Sequence, residues 1–193
     1  SMEYAIGRNA LKKEIGTMPE ATQALAVKPG TQLDADDALS AVSYDKGAWF
    51  LQFLEERFGR QDFDAFLRGY FDHFAFQSIT TEQFLEYAKK NLFDKHPNVV
   101  SDAEIQEWIY GPGIPATAPQ VQSRGFSNVD TARIAWLGSG QLPNPQLTKE
   151  WVTQQWVHFI EGMGDTLTVE QLKQLDDAFH FTGTANGEVA MRW

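Results

Sequence analysis

An all-α fold is what this 193-residue sequence predicts, on three observations. Apolar residues recur at helical spacing along most of the chain. Three helix-start signatures, Thr80-Thr81-Glu82-Gln83, Ser101-Asp102-Ala103-Glu104 and Thr168 with Gln171, have a first side chain that can bond an orphan amide and a fourth that returns the bond. No run of alternating β-branched residues is long enough to make a half-buried strand.

Taken in order, residues 4–15 have helical composition, weakened at Gly7, which costs about 1 kcal/mol relative to alanine. From Tyr44 to Phe58, Phe50, Leu51, Leu54 and Phe58 form one stripe and Trp49 and Phe53 a second, which predicts a helix buried over much of its circumference. Gly59 stands where a left-handed helix end is needed, and the next helix starts directly at Gln61-Asp62. Its apolar face is Phe63, Phe66, Leu67, Tyr70, Phe71 and Phe74. The first two capping boxes open helices over roughly 81–92 and 102–110. Glycine and proline between Gly111 and Gly125 predict a linker. Helical signals return over about 129–137, 148–162 and 168–180.

Composition narrows the function. Hydrophobic residues are 42% and aromatics 13%, enough for a packed core. Sixteen basic against twenty-six acidic residues give a net charge of −10, which opposes binding to phosphate polyanions, so no nucleic acid partner is expected. No apolar run approaches the roughly 18 residues that span a bilayer, so no membrane partner is expected either. With no cysteine, thiolate catalysis, disulfides and sulfur-bound metals are excluded. His73, His96, His158 and His180 are scattered, and none has a second His or a Glu at the spacing that puts two ligands on one helix face, so no metal site is expected in these residues. His73 reads as a core-edge residue and His96 as a solvated loop residue. Phosphate loops, dinucleotide fingerprints and serine elbows do not occur.

One segment stands apart: Val42-Ser43-Tyr44-Asp45-Lys46-Gly47, running into an apolar helix. A tyrosine at a helix start, beside a charged pair and a glycine, can aim a hydrogen-bond donor into a cleft. The same residues also read as a capping turn with Asp45 and Lys46 at the surface.

This segment, with Leu54-Glu55 at the end of its helix, resembles the Tyr-x-Lys-Gly segment of the gluzincin aminopeptidases, the family of aminopeptidase N and leukotriene A4 hydrolase. Two further stretches are similar to the leukotriene A4 hydrolase branch: Ser78-Ile79-Thr80-Thr81, and Trp108-Ile109-Tyr110-Gly111-Pro112-Gly113-Ile114-Pro115, which resembles the motif closing that branch's catalytic domain. The resemblance covers most of 30–116 and continues weakly beyond. It implies that residues 1–115 are the helical tail of a thermolysin-like catalytic domain, 116–127 a linker, and 128–193 the start of an armadillo- or HEAT-like helical domain.

It also implies a zinc-dependent aminopeptidase acting on peptides. Zinc would polarise the scissile carbonyl and activate a water, with ligands and general base on an upstream catalytic half, so that these residues alone would be an inactive fragment. Tyr44 matches the family's tyrosine, the donor to the tetrahedral oxyanion. Asp36 falls where that branch places an acidic residue in the substrate channel, and equally reads, within Asp34-x-Asp36-Asp37, as a charge at a helix start. Leu39 replaces that branch's second tyrosine, which favours peptide over epoxide hydrolysis. Lys46 is assigned a structural role, and Trp108 and Tyr110 are expected to pack the domain boundary. The compartment stays open, with the cytoplasm favoured. The alternative is a non-catalytic helical module that binds a protein partner through an apolar groove.

Overall fold

The computed structural model describes residues 2–26, 40–120, 123–164 and 167–193, and the described residues are helical with no strand. They form two compact units, residues 6–120, and residues 121–193 together with the first five.

The first unit takes most of α1 (Met2–Ile15), a 3₁₀ turn (Glu20–Thr22), and a π turn (Val42–Lys46) that runs into α2 (Gly47–Phe58). It continues with α3 (Arg60–His73), α4 (Thr81–Ala88), extended by a second π turn (Lys89–Phe93), and α5 (Asp102–Tyr110). Both expected capping boxes are present at Thr80 and Ser101. Gly59, at φ 79°, lets the chain reverse: its N–H donates to the Glu55 carbonyl at the end of α2, and its carbonyl accepts from Phe63 at the start of α3.

As the two stripes predict, Trp49, Phe50, Phe53, Leu54 and Phe58 of α2 are all buried. Trp108 of α5 is buried against Phe50 and Phe53, with centroids 5.7 and 5.4 Å away, so it packs this unit's core rather than a boundary. Between α3 and α4, Phe84 meets Phe66 and Tyr70 edge-on at 6.4 and 5.7 Å. Such contacts each add about 0.5–1.5 kcal/mol beyond area burial. One expected core residue, Phe71, is instead 65% exposed. At 100° per residue it lies roughly 80° around α3 from Phe63, beyond the arc that α4 covers. Leu51, at the rim of α2, is also exposed.

Glycine in α1 has a packing reason that the sequence did not show. A Cβ on Gly7 would lie 2.6 Å from the Asp45 carboxylate. Next to it, Arg8 is buried, donates to the Pro119 carbonyl at 2.9 Å and lies over the Trp49 ring, 4.3 Å from its centroid.

The second unit contains α6 (Arg124–Ser139), α7 (Pro145–Thr148), α8 (Thr153–Glu161), α9 (Val169–Phe179) and α10 (Gly187–Arg192). α6 begins well ahead of its apolar repeat because Ser123 caps it, accepting from the Phe126 amide, and Phe126 is buried. The single helix expected over 148–162 is broken: Trp151 leaves the helical path to pack on Trp156 and Phe159 at 4.8 and 5.5 Å, and Val152 is half exposed. The Thr168 capping box is present. α8 packs on both α6 and α10 around Val129, Trp136, Phe159, Leu175 and Val189. A polar cluster closes one side. His158 stacks on Phe126 at 4.2 Å and pairs with Asp130 at 2.8 Å, and Arg133 bonds both Asp130 and the His158 carbonyl.

Candidate functional site

Tyr44 sits in the middle of the π turn that leads into α2. Such turns insert one residue into a helical ladder and swing a side chain off the helix's regular path. The flanking positions hold it from inside: Val42 and Lys46 are buried, whereas Tyr44 is 74% exposed and its phenol faces solvent. Its ring is therefore open to a ligand or a docking surface, and packing within the unit does not account for a tyrosine here.

The charged pair beside it divides between partial and full burial. Asp45 is partly buried against Gly7, and the lost hydration pushes its carboxyl above the usual carboxylate range. Lys46 is 0% exposed, so the surface capping reading is wrong for it. Its Nζ donates to the Gln23 carbonyl at 2.9 Å and the Gly111 carbonyl at 2.7 Å. Burial lowers its pKa to about 8, partly opposed by the negative charge of Glu107. Both partners of Lys46 are backbone carbonyls, in keeping with a structural role.

Two of the three stretches that stood out in the sequence meet at this turn, and the third shares a cleft with one of them. Gly111, within the Trp108–Pro115 stretch, supplies one of the two acceptors for Lys46. Gly113 N–H donates to Gln23 Oε1 at 2.9 Å, and Ala26 N–H to the Ile109 carbonyl at 2.9 Å. Ile79, Thr80 and Thr81 line a cleft of about 260 Å³ together with Tyr70, Phe84 and Ile109. Tyr110 donates a long bond to Glu82, and burial with that carboxylate raises its phenol pKa.

Asp36 and Leu39 lie outside the described residues. Among the described residues no three His, Asp or Glu side chains come close enough to hold a metal ion, so these residues do not fit a zinc site. His73 is exposed and stacks on Tyr87 at 5.2 Å, and His96, expected to be solvated, is 3.3 Å from Asp62 and edge-on to Phe58. No described helix is long and apolar enough to cross a membrane. Gln23 and Arg8, which brace the turn and the helix behind it, were missed from sequence. Gln23 carries no signal in a loop, and Arg8 differs from a surface arginine only in the partners that folding brings to it.

Residues 4–108 match the peptidase family M1 domain. The chain belongs to that family. Among M1 relatives it is similar to aminopeptidase B of Rattus norvegicus, 28% identical over 206 residues that take in 100% of this chain and 32% of that protein. It is similar also to leukotriene A-4 hydrolase of Xenopus laevis, 25% identical over 169 residues, 84% of this chain and 28% of that protein. A solved structure of yeast LTA4 hydrolase in complex with bestatin matches 99% of this chain and 35% of its own, with TM-score 0.83 and 26% identity. The chain thus spans about a third of the length of the relatives it matches, and the M1 match bears out the family read from the Tyr44–Gly47 and Trp108–Pro115 motifs.

Proposed function

We propose that these residues belong to an M1 aminopeptidase that removes amino-terminal residues from peptides, in which Tyr44 donates its phenolic hydrogen to the oxyanion of the tetrahedral intermediate. In this reading residues 1–115 are the helical tail of the catalytic domain, 116–127 a linker and 128–193 the start of a helical domain. Zinc and its ligands would belong to an upstream half that completes the site, and Asp36 would face the substrate channel.

The observation that carries the reading is the open phenol of Tyr44 at the centre of a turn whose two ends, Val42 and Lys46, are buried. A donor aimed at charge that develops only in the transition state lowers the barrier without tightening substrate binding. The phenol suits this because it is a single directional donor.

The test is Tyr44→Phe in the full-length protein. Loss of one oxyanion donor lowers kcat by about 10²–10³, with KM changed little. Near-normal kcat in a folded variant removes Tyr44 from the mechanism. The 193 residues on their own are expected to show no peptidase activity; cleavage of an aminoacyl anilide by the purified chain would show that the site does not need an upstream half.

A further inference from the structure

Lys46 is the most fully enclosed cation among the described residues, and it lies two positions from Tyr44 on the same π turn. Enclosing an ammonium costs several kcal/mol unless its protons are taken up by acceptors. Here the Gln23 and Gly111 carbonyls take two of them. An unbranched apolar side chain would fill the same space without that cost, so stability alone does not explain a lysine. What a lysine adds is direction. Two carbonyls from segments far apart in sequence fix the ammonium in space, and through it the backbone of residue 46.

Both acceptors are themselves held. Gln23 Nε2 donates to the carbonyls of Ile15 and Met18 at 3.1 and 3.0 Å, tying it to the end of α1. Its Oε1 accepts from Gly113, and Gly111 is anchored by its own N–H to the Glu107 carbonyl at 3.0 Å. Among the described residues nothing similar restrains the exposed ring of Tyr44, whose aim therefore depends on where the turn lies. Catalytic donors need placement within roughly 0.5 Å, and misplacement by about 1 Å can cost 10²-fold in rate.

We propose that Lys46 is the positioning residue for Tyr44: its ammonium, clamped between the Gln23 and Gly111 carbonyls, sets the turn that aims the phenol. The proposal rests on the oxyanion role of Tyr44 proposed above. It also gives the Trp108–Pro115 motif a role in the site, since the Gly111 carbonyl becomes one jaw of the clamp.

The experiment is a double-mutant cycle in the full-length protein with Tyr44→Phe, Lys46→Met and the combination, reading kcat and KM separately on an aminoacyl anilide. Lys46→Met should lower kcat by about tenfold or more with KM within about twofold, and should lower it less than about twofold when Tyr44 is already Phe. A folded Lys46→Met enzyme with normal kcat overturns the proposal, as does an equal loss on both backgrounds, which would mean that Lys46 acts independently of Tyr44. Normal kcat in Tyr44→Phe alone is a different result and sinks the oxyanion role itself. If Lys46→Met does not fold, Gln23→Leu loosens the same clamp from its acceptor side: it keeps the backbone carbonyl that accepts from Lys46 but removes the side-chain bonds to Ile15, Met18 and Gly113 that hold that carbonyl, leaving Lys46 and Tyr44 in place. It should lower kcat only when Tyr44 is present, and an unchanged kcat in that variant overturns the proposal. The ¹⁹F resonance of 3-fluorotyrosine at position 44 should shift in either variant, and an unshifted resonance also counts against the clamp.

Discussion

Two tryptophans of nearly equal burial offer a matched test of how this core is held. Trp49 is 1% exposed and Trp108 0%. The Trp49 indole N–H donates to the Pro119 carbonyl at 2.8 Å, and the Arg8 guanidinium lies over its ring. The Trp108 indole N–H is buried and has no hydrogen-bond partner among the described residues. Substituting phenylalanine removes the same atoms at each site, so the transfer and cavity costs are matched and the polar difference remains. Trp49→Phe gives up a hydrogen bond worth about 0.5–1.5 kcal/mol, toward the low end because Arg8 still donates to Pro119. It also weakens a cation–π contact by about 0.5 kcal/mol. Trp108→Phe removes an unsatisfied N–H and so relieves about 1 kcal/mol or more of desolvation penalty. Together these terms make Trp49→Phe the more damaging change by about 2 kcal/mol, or roughly 1 M in the urea midpoint at a slope near 2 kcal/mol/M. Urea unfolding followed by far-ultraviolet circular dichroism, with hydrogen exchange assigning the transition to residues 6–120, provides the measurement. Equal losses, or a greater loss at Trp108, would refute the reasoning.

Lys46 makes stability depend on pH in an unusual direction. Because its folded pKa is lowered from 10.5 to about 8, the fold binds fewer protons than the unfolded chain between those values. The contribution of this residue to stability therefore rises with pH across that window. The urea midpoint of wild type minus that of Lys46→Met should increase between pH 7 and pH 9.5, and a constant or shrinking difference contradicts it. At Gly111 an added Cβ would collide with the Glu107 carbonyl oxygen, a backbone atom of α5 that cannot rotate away. Gly111→Ala should cost about 1–3 kcal/mol, as overpacking does, and an unchanged thermal midpoint would show that the turn yields freely.

Legibility in the sequence followed the range of the interactions. Capping boxes at Thr80, Ser101 and Thr168 involve residues three apart, and all three formed as read. The start of α6 was misplaced because its cap, Ser123, lies in a stretch that proline and glycine marked as linker. The expected helix over 148–162 broke because burying Trp151 against Trp156 and Phe159 outweighed continuing the hydrogen-bond ladder. Phe71 reads as core from spacing alone, yet only the position of α4 shows where the covered arc stops. In the site, Tyr44 was legible because a motif names it. The enclosure of Lys46 was not, because its acceptors lie 23 and 65 residues away.

By itself the sequence determined the all-helical class, most helix starts and ends, and the family resemblance that singles out Tyr44, since these depend on periodicity, caps and short motifs within a turn or two of chain. Only the tertiary structure decided which charges are buried, why Gly111 lacks a Cβ and what Gly7 packs against, and that the turn carrying Tyr44 is clamped by a lysine between two distant carbonyls. Desolvation and hydrogen-bond pairing depend on what surrounds a group in space, and for these residues the surroundings come from parts of the chain that local pattern does not connect.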